Sequence, residues 1–276
     1  MPYSWEHKRT RTRTDKTMQT IAICNQKGGV GKTTTSLCLT AGLSERGKKC
    51  LLIDLEGQRN LTATLRAEDK LTALEVLIGE ATAKEAITET AIGDFIAGDK
   101  RLSSIDAIIN NLIREGSFKE EALYTSLRDA LKPLKRIYDI VLLDTPPSLG
   151  TLTMNALTAS DFVIVPCEAD YYSLQGLTDL AETIEAVKGS LNKKLRTMGV
   201  LLTKHSARYT LSKEIQETLT QLTEAFDTEV FDTYIRHSQK AREAQFKPQG
   251  LLRYAPKSTI ATDYRAFTEE VLHKLE

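Results

Sequence analysis

Short apolar runs alternate along the chain with longer segments in which apolar residues recur at helical spacing. This alternation is typical of a parallel sheet that is covered by helices on both faces. The apolar runs predict strands at Thr20–Asn25, Lys49–Asp54, Asp94–Ala97, Tyr138–Asp144, Asp161–Pro166 and Thr197–Thr203. The longer segments predict helices at Lys32–Glu45, Glu120–Arg136, Leu174–Lys188, Leu211–Ala225 and Thr262–Leu275. We therefore expect an α/β fold with a doubly wound, mostly parallel sheet.

The stretch Leu61–Lys119 is the least regular part of the pattern. Helical spacing at Leu71–Ile78 and at Ile105–Ile113 surrounds the one short strand predicted there, and no common period is visible. We interpret residues 61–119 as a variable helical elaboration within a single domain that spans residues 19–276. Residues 1–18 are expected to form a basic tail, because the first apolar strand needs nothing upstream of Met18.

Composition limits the classes of protein that fit this pattern. The chain has 276 residues, of which 41% are hydrophobic, which is enough for a substantial core and excludes a disordered chain. Its 37 Lys and Arg residues balance 37 Asp and Glu residues, which argues against a uniformly basic nucleic-acid binder. No apolar run approaches the ~18 residues of a membrane span, and the basic N-terminus is not followed by a secretory signal. We therefore expect a cytoplasmic protein without a membrane anchor.

The strongest chemical signal is a glycine-rich loop that lies directly between the first predicted strand and the first predicted helix. Glycines allow successive backbone N–H groups to point at phosphates, and the helix N-terminus adds a partial positive charge. Lys32 supplies a point charge for β- and γ-phosphates, and the Thr33 hydroxyl suits Mg²⁺. The loop residues are Lys27, Gly28, Gly29, Val30, Gly31, Lys32, Thr33 and Thr34. This context predicts a phosphate-binding loop rather than a simple glycine turn.

Acidic residues stand at the ends of two other predicted strands. Asp54 and Glu56 follow the apolar run Leu51–Ile53, and Asp144 ends the run that begins at Tyr138. Open α/β sheets bind ligands at the carboxyl ends of their strands, so these carboxylates are expected near the phosphate site. Asp144 in that position suits the binding of Mg²⁺ through water.

The loop departs from the common G-x-x-x-x-G-K-T pattern, because Gln26 stands where the first glycine would be and a second lysine, Lys27, follows it. The resulting pattern, K-G-G-x-G-K-T-T, is the deviant Walker A sequence. The chain thereby resembles the ParA/MinD superfamily of deviant Walker A P-loop ATPases, and within it the ParA-type (Soj-like) partitioning proteins. The resemblance extends from Met18 to the C-terminus and is weakest across Leu61–Lys119.

The resemblance implies an ATPase that uses Mg²⁺ and forms an ATP-sandwiched homodimer. Lys27 would reach across that dimer to the partner's phosphates, while Lys32 holds phosphates within its own subunit. Thr33 and Asp144 would hold Mg²⁺. The residues expected to bind ATP are those of the loop from Lys27 to Thr34.

The segment around Asp54 resembles the superfamily pattern D-x-D-P-Q-G-N with three departures. Glu56 replaces the second Asp, Gly57 replaces Pro, and Arg59 replaces Gly. In the superfamily the second Asp positions the attacking water, so Asp54 and Glu56 are expected to manage that water. Because Glu56 is longer, we expect slow ATP hydrolysis that Glu56→Asp raises or leaves unchanged. The alternative is that Glu56 is only a loop charge and that Asp54 does the chemistry.

Positive charge is concentrated near the C-terminus. Residues Thr233–Ser258 carry six basic residues against one acid, Glu243, and the tail Met1–Met18 is basic as well. The resemblance implies non-specific DNA binding, in which phosphate contacts are salt-dependent and blind to sequence. The expected DNA contacts are Arg208, Arg236, Lys240, Arg242 and Lys247. The alternative is a solvated basic face without a partner.

These features together predict a ParA-type ATPase that binds DNA when ATP closes the dimer and so partitions plasmid or chromosomal DNA. A ParB-type centromere-binding protein would stimulate hydrolysis and release, and the ATP-bound protein would lie on the nucleoid. Two alternatives stay open. A MinD-like positioning ATPase would act on a membrane or polar partner without binding DNA, although the acidic end Thr268–Glu276 makes a poor anchor. A P-loop synthetase related to dethiobiotin synthetase would act on a small molecule.

Overall fold

The computed structural model describes residues 18–67, 71–168, 177–205 and 213–276. Within these ranges the strands are β1 (Gln19–Ile23), β2 (Cys50–Asp54), β3 (Ile87–Thr90), β4 (Gly93–Ile96), β5 (Ile140–Asp144), β6 (Phe162–Glu168) and β7 (Arg196–Thr203). They form one sheet in the order β3-β4-β2-β5-β1-β6-β7. Neighbouring strands are parallel, except that β3 and β4 form an antiparallel pair at one edge. The expected doubly wound, mostly parallel α/β fold is confirmed.

Helices cover both faces of this sheet. They are α1 (Lys32–Glu45), α2 (Asn60–Leu65), α3 (Ala73–Ile78), α4 (Ile105–Arg114), α5 (Ser126–Leu131), α6 (Thr151–Ala159), α7 (Thr178–Ser190), α8 (Lys213–Ala225), α9 (Gln239–Ala244), α10 (Gly250–Tyr254) and α11 (Thr259–Leu275). Three-residue to five-residue 3₁₀ turns lie at Lys100–Ser104, Glu120–Ala122 and Lys132–Leu134. No helix in the described ranges is long and apolar enough to cross a membrane.

The apolar side chains form two cores, one on each face of the sheet. Successive residues of a strand point to opposite faces, and β5 shows the result: Val141 and Leu143 enter one core, whereas Ile140 and Leu142 enter the other. Helices α3 to α8 pack on the first face. Helices α1, α2 and α9 to α11 pack on the second. This two-sided burial explains why the central strands are continuously apolar in sequence.

The six predicted strands are confirmed to within two residues at each end. The predicted helices at Lys32–Glu45 and Thr262–Leu275 are confirmed as α1 and α11. Of the predicted helices Leu174–Lys188 and Leu211–Ala225, residues 178–188 and 213–225 are helical, whereas residues 174–176 and 211–212 lie outside the described ranges.

The predicted helix Glu120–Arg136 is wrong as a single element. The segment breaks into a 3₁₀ turn, the six-residue α5 and a second 3₁₀ turn that contains Pro133. Proline lacks a backbone N–H and clashes with the preceding helical turn, so the apolar spacing cannot be realised as one helix.

The helical elaboration expected over Leu61–Lys119 also needs correction. Helices α3 and α4 match its helical patterns, but the predicted strand there has an antiparallel partner, β3, that was not foreseen. This partner has only four residues, none of them fully buried, so its sequence lacks a clear apolar alternation.

Candidate active site

The glycine-rich loop connects β1 to α1 at the carboxyl edge of the sheet. Gly29 and Gly31 have φ angles of +77° and +95°, a left-handed region that favours glycine. A Cβ added to Gly28 or Gly29 would meet nothing within 4 Å, so the loop backbone faces open space. The side chain of Lys27 is exposed at the rim of the loop. This geometry leaves backbone N–H groups and the N-terminus of α1 available to a phosphate chain.

Lys32 begins α1 and is buried beneath the loop. Its Nζ donates a hydrogen bond to the carbonyl of Lys27 at 3.2 Å, so the side chain folds back across the loop. Burial lowers the pKa of Lys32, while the carboxylates of Asp144 and Glu56 act in the opposite direction. A cation held in this position lies where it can meet phosphate oxygens bound by the loop.

Asp144 ends β5 and is fully buried beside the loop. Its Oδ1 accepts a hydrogen bond from the Ser36 hydroxyl at 2.9 Å, whereas its Oδ2 is buried and has no hydrogen-bond partner among the described residues. Burial first, and then the charge of Asp54, raise the pKa of Asp144 to about 7, although the hydroxyls of Thr33 and Ser36 oppose that rise. A buried oxygen without a donor, next to a threonine hydroxyl, fits a Mg²⁺ ion or one of its waters.

Asp54 lies beside Asp144, because the two residues are paired in register at the ends of β2 and β5. Both Asp54 oxygens are occupied: Oδ1 accepts the N–H of Glu56 at 3.0 Å, and Oδ2 accepts the N–H and hydroxyl of Thr62 at 3.1 and 2.7 Å. The expected share in the handling of water stays a prediction for Asp54. Its side chain holds the following loop, and Glu56 is the carboxylate that reaches the cavity.

Glu56 faces the same space as Lys32. Burial and the charge of Asp54 raise the pKa of Glu56, while Lys32 and a hydrogen bond with Asn60 lower it. Further along this loop, Arg59 has a φ of 59°, so the chain is left-handed where the superfamily pattern has glycine. The loop therefore keeps a conformation that glycine would adopt with less strain.

A cavity of about 560 Å³ opens in front of these groups. Most of the predicted ATP-binding loop lines it, together with Glu56, Pro147 of the loop after β5, and one side of α9. Lys27 and Val30 are the exceptions. Val30 is buried, and its carbonyl accepts a hydrogen bond from the Thr203 hydroxyl. The lining residues are Gly28, Gly29, Gly31, Lys32, Thr33, Thr34, Leu37, Glu56, Gln58, Asn60, Ala63, Thr64, Arg66, Pro147, Ala241, Ala244, Gln245, Phe246 and Leu251.

The predicted DNA contacts differ in their surroundings. Lys240 and Arg242 are exposed on α9, and Lys240 forms an ion pair with Glu243 at 2.6 Å. The ammonium of Lys247 lies 5.3 Å from the centre of the Tyr254 ring. Arg208 lies outside the described residues.

Arg236 has a different environment from the lysines of α9. Its guanidinium donates to both oxygens of Asp263, and its backbone N–H donates to the same carboxylate at 3.0 Å. Because the Asp263 side chain is only 9% exposed, this ion pair ties the chain before α9 to α11. We therefore expect a structural role for Arg236, and its contact with DNA stays a prediction.

Sequence reasoning missed two groups of residues at this site. Thr62 and Ser36 hold the two strand-end carboxylates, but a lone hydroxyl residue carries no recognisable sequence signal. The cavity wall formed by Ala241, Ala244 and Phe246 was also missed, because only its basic neighbours stood out.

A phosphate loop after the first strand of a parallel sheet, with acids ending two neighbouring strands, defines a P-loop ATPase. The sequence pattern of the AAA domain family matches residues 18–197. The chain belongs to that family and to the ParA/MinD superfamily of ATPases.

Two relatives and one solved structure illustrate the likeness. The chain is 36% identical to the chromosome partitioning protein ParA of Caulobacter vibrioides, an alignment that covers 93% of this chain and 95% of the relative. It is also 36% identical to the chromosome-partitioning ATPase Soj of Thermus thermophilus, over 93% and 96% of the two chains. The cobyrinic acid a,c-diamide synthase of Mycobacterium smegmatis, solved with an ATP analogue and magnesium, superposes with a TM-score of 0.78. Its sequence identity is 30%, over 94% of this chain and 96% of that one.

Proposed function

We propose that this protein is a ParA-type partitioning ATPase. ATP and Mg²⁺ close a homodimer, the dimer binds DNA without sequence preference, and a ParB-type partner that is bound to a centromere triggers hydrolysis and release. The observation that carries the proposal is the position of α9. Its inner residues line the ATP cavity, while Lys240 and Arg242 of the same helix are exposed. A change of nucleotide can therefore alter the presentation of basic side chains.

We assign the side chains of the site to ATP binding, Mg²⁺ binding and hydrolysis according to where they lie. The loop backbone and Lys32 bind the β- and γ-phosphates, and Thr33 and Asp144 hold Mg²⁺, which when bound offsets phosphate charge. Glu56 orients a water whose oxygen attacks the γ-phosphorus, the bond to the bridging oxygen breaks, and ADP and phosphate leave. Lys27, exposed at the rim, acts on the phosphates of the partner subunit.

Hydrolysis is proposed to be slow until the partner acts. Glu56 is one methylene longer than the aspartate of the superfamily pattern, and a displacement of about 1 Å can lower a rate on the order of a hundredfold. Glu56→Asp should therefore raise turnover or leave it unchanged, whereas Glu56→Gln should abolish turnover and keep ATP binding. A clear loss of turnover in Glu56→Asp, measured as phosphate release, would contradict this role for the longer side chain.

DNA binding is proposed to use the surface around α9. Lys240, Arg242 and Lys247 supply the charge, joined by Arg208 after β7. Contacts of this kind act on phosphates, so binding should weaken steeply as salt rises. The ATP-bound protein would then lie on the nucleoid within the cytoplasm.

The test is retention of DNA in gel-shift assays with ATP, with ADP and with the Lys32→Gln variant, each repeated at raised salt. We expect retention with ATP alone, lost in Lys32→Gln and at high salt. Lys247→Glu should weaken retention, and Lys135→Glu is the matched control, because Lys135 is an exposed lysine beside the opposite core. DNA binding that ignores nucleotide, or no binding under any condition, would refute the partitioning proposal.

A second candidate function is ATP-dependent activation of a small carboxylated molecule. It is favoured by the 30% identity and the TM-score of 0.78 with the cobyrinic acid a,c-diamide synthase. In that case ATP turnover would require a carboxylate substrate and an amine donor and would not respond to DNA. Phosphate release is therefore measured with DNA and the ParB-type partner, without a carboxylate or an amine. Stimulated release supports the partitioning ATPase, and no stimulation supports the small-molecule enzyme.

A further inference from the structure

The loop that carries Glu56 rests on a segment that does not line the ATP cavity, Gly98–Ser103. The N–H of Gly98 donates to the Thr62 hydroxyl at 2.8 Å, and that hydroxyl donates in turn to Asp54 at 2.7 Å. Asp54 accepts the N–H of Glu56 through its other oxygen. A continuous chain of hydrogen bonds therefore runs from this segment to the backbone of Glu56.

Two glycines allow the loop and the segment to meet backbone against backbone. A Cβ on Gly98 would lie 2.9 Å from the Asp54 carboxyl carbon and 3.1 Å from the Glu56 carbonyl oxygen. A Cβ on Gly57 would lie 2.0 Å from the Ser103 hydroxyl and 2.8 Å from the Ser103 backbone nitrogen. Neither glycine has a positive φ, so close approach rather than backbone conformation requires them.

The segment itself is firmly anchored and can serve as a support. Asp99 caps the 3₁₀ turn by accepting the N–H of Arg101 at 2.7 Å. The Arg101 guanidinium contacts both Asp99 and Glu75 of α3, and Leu102 is buried in the core beside them. These contacts hold the segment against which Gly57 packs.

We propose that Gly57, through its close packing against Ser103, is a positioning residue that fixes the Glu56 carboxylate for ATP hydrolysis. This inference rests on the proposed role of Glu56. Glu56 is buried and its backbone N–H is held by Asp54, so a shift of that backbone also moves the carboxylate. Gly57, Gly98 and Ser103 do not line the cavity, so their effect falls on turnover rather than on ATP affinity.

The experiment is Gly57→Ala, with turnover and ATP affinity measured separately by phosphate release and by titration of a fluorescent ATP analogue. An ordinary contact requires at least 3.4 Å, so either the Ser103 hydroxyl rotates away or the new Cβ moves by about 1.4 Å. The Ser103 backbone nitrogen, 2.8 Å from that Cβ, requires a shift of about 0.6 Å in either case. We expect kcat to fall between about tenfold and a hundredfold, while the affinity for ATP changes less than about twofold.

The double variant Gly57→Ala/Ser103→Gly tests whether the contact itself is responsible. Removing the Ser103 side chain deletes the hydroxyl and the Cβ that would lie 2.0 and 3.1 Å away, and leaves the nitrogen at 2.8 Å. We therefore expect partial recovery of kcat in the double variant. Gly189→Ala is the matched control, because a Cβ there meets nothing within 4 Å and turnover should not change.

The possible outcomes distinguish a failure of the proposed catalytic role of Glu56 from a failure of the proposed positioning of Glu56. If the parent protein hydrolyses no ATP, or if Glu56→Gln turns over at the parent rate, the proposed function of Glu56 fails. If Glu56→Gln is inactive but Gly57→Ala keeps the parent kcat, the positioning role is overturned. An equal loss of ATP affinity and kcat, or a double variant no faster than Gly57→Ala, also overturns it.

Discussion

Asp144 gives the sharpest prediction, because its burial in the folded protein opposes the ionisation that the unfolded chain allows. Burial, helped by the charge of Asp54, raises the pKa of Asp144 from 3.8 to about 7. Asparagine has nearly the shape of a protonated aspartic acid and does not ionise. Asp144→Asn should therefore stabilise the protein without Mg²⁺ and nucleotide, while it removes a proposed contact to Mg²⁺.

The magnitude follows from the raised pKa of Asp144. Between pH 4 and pH 7 the folded state keeps a proton that the unfolded state has released, so the free energy of unfolding falls as pH rises. Each pKa unit corresponds to about 1.4 kcal/mol. Relative to the asparagine variant, the raised pKa of Asp144 costs the folded parent on the order of 2 kcal/mol at pH 5 and on the order of 4 kcal/mol at pH 8.

The assay is urea unfolding in EDTA at pH 5 and pH 8, followed by circular dichroism, for the parent and for Asp144→Asn. The variant should be the more stable at both pH values, with the larger gain at pH 8, and it should hydrolyse no ATP. Asp179→Asn serves as the control, because Asp179 is exposed. A variant that is less stable than the parent at pH 8, or a gain that does not grow with pH, would refute the reasoning.

Further predictions concern packing and the basic region. Arg236→Ala should lower the free energy of unfolding by roughly 1–3 kcal/mol, because it strips Asp263 of charged hydrogen bonds, and it should leave the salt dependence of DNA binding unchanged. A steep change in that dependence would restore Arg236 as a DNA contact. Gly42→Ala should destabilise the protein by about 1–2 kcal/mol in urea unfolding, since its Cβ would lie 2.3 Å from the Thr268 hydroxyl. Gly189→Ala, in open space, should not destabilise it.

Much of the fold could be predicted because its signals are local. The central strands are buried on both faces and therefore appear as unbroken apolar runs. The phosphate loop is recognisable because Gly29 and Gly31 need positive φ angles at fixed distances from a lysine and a threonine. The end of a strand is also recognisable from neighbouring residues, because the apolar run stops there. Asp54 and Asp144 could therefore be placed at the correct edge of the sheet.

The division of labour between Asp54 and Glu56 could not be predicted, because it depends on contacts that are distant in sequence. Asp54 is held by Thr62, which is held by Gly98, and neither partner stands out in the sequence. Arg236 likewise does not differ in sequence from its basic neighbours, because its partner Asp263 lies twenty-seven positions later. Such pairings arise only when separate elements pack together.

Helix α9 borders the ATP cavity and also carries the basic side chains. If the position of this helix links the two ligands, the linkage must be reciprocal: whatever factor ATP contributes to DNA affinity, DNA contributes to ATP affinity. A protein bound to the chromosome would then retain its nucleotide longer than one in free solution. DNA would therefore hold a pool of ATP-bound protein, and a partner that stimulates hydrolysis would release that protein only where the partner itself is bound.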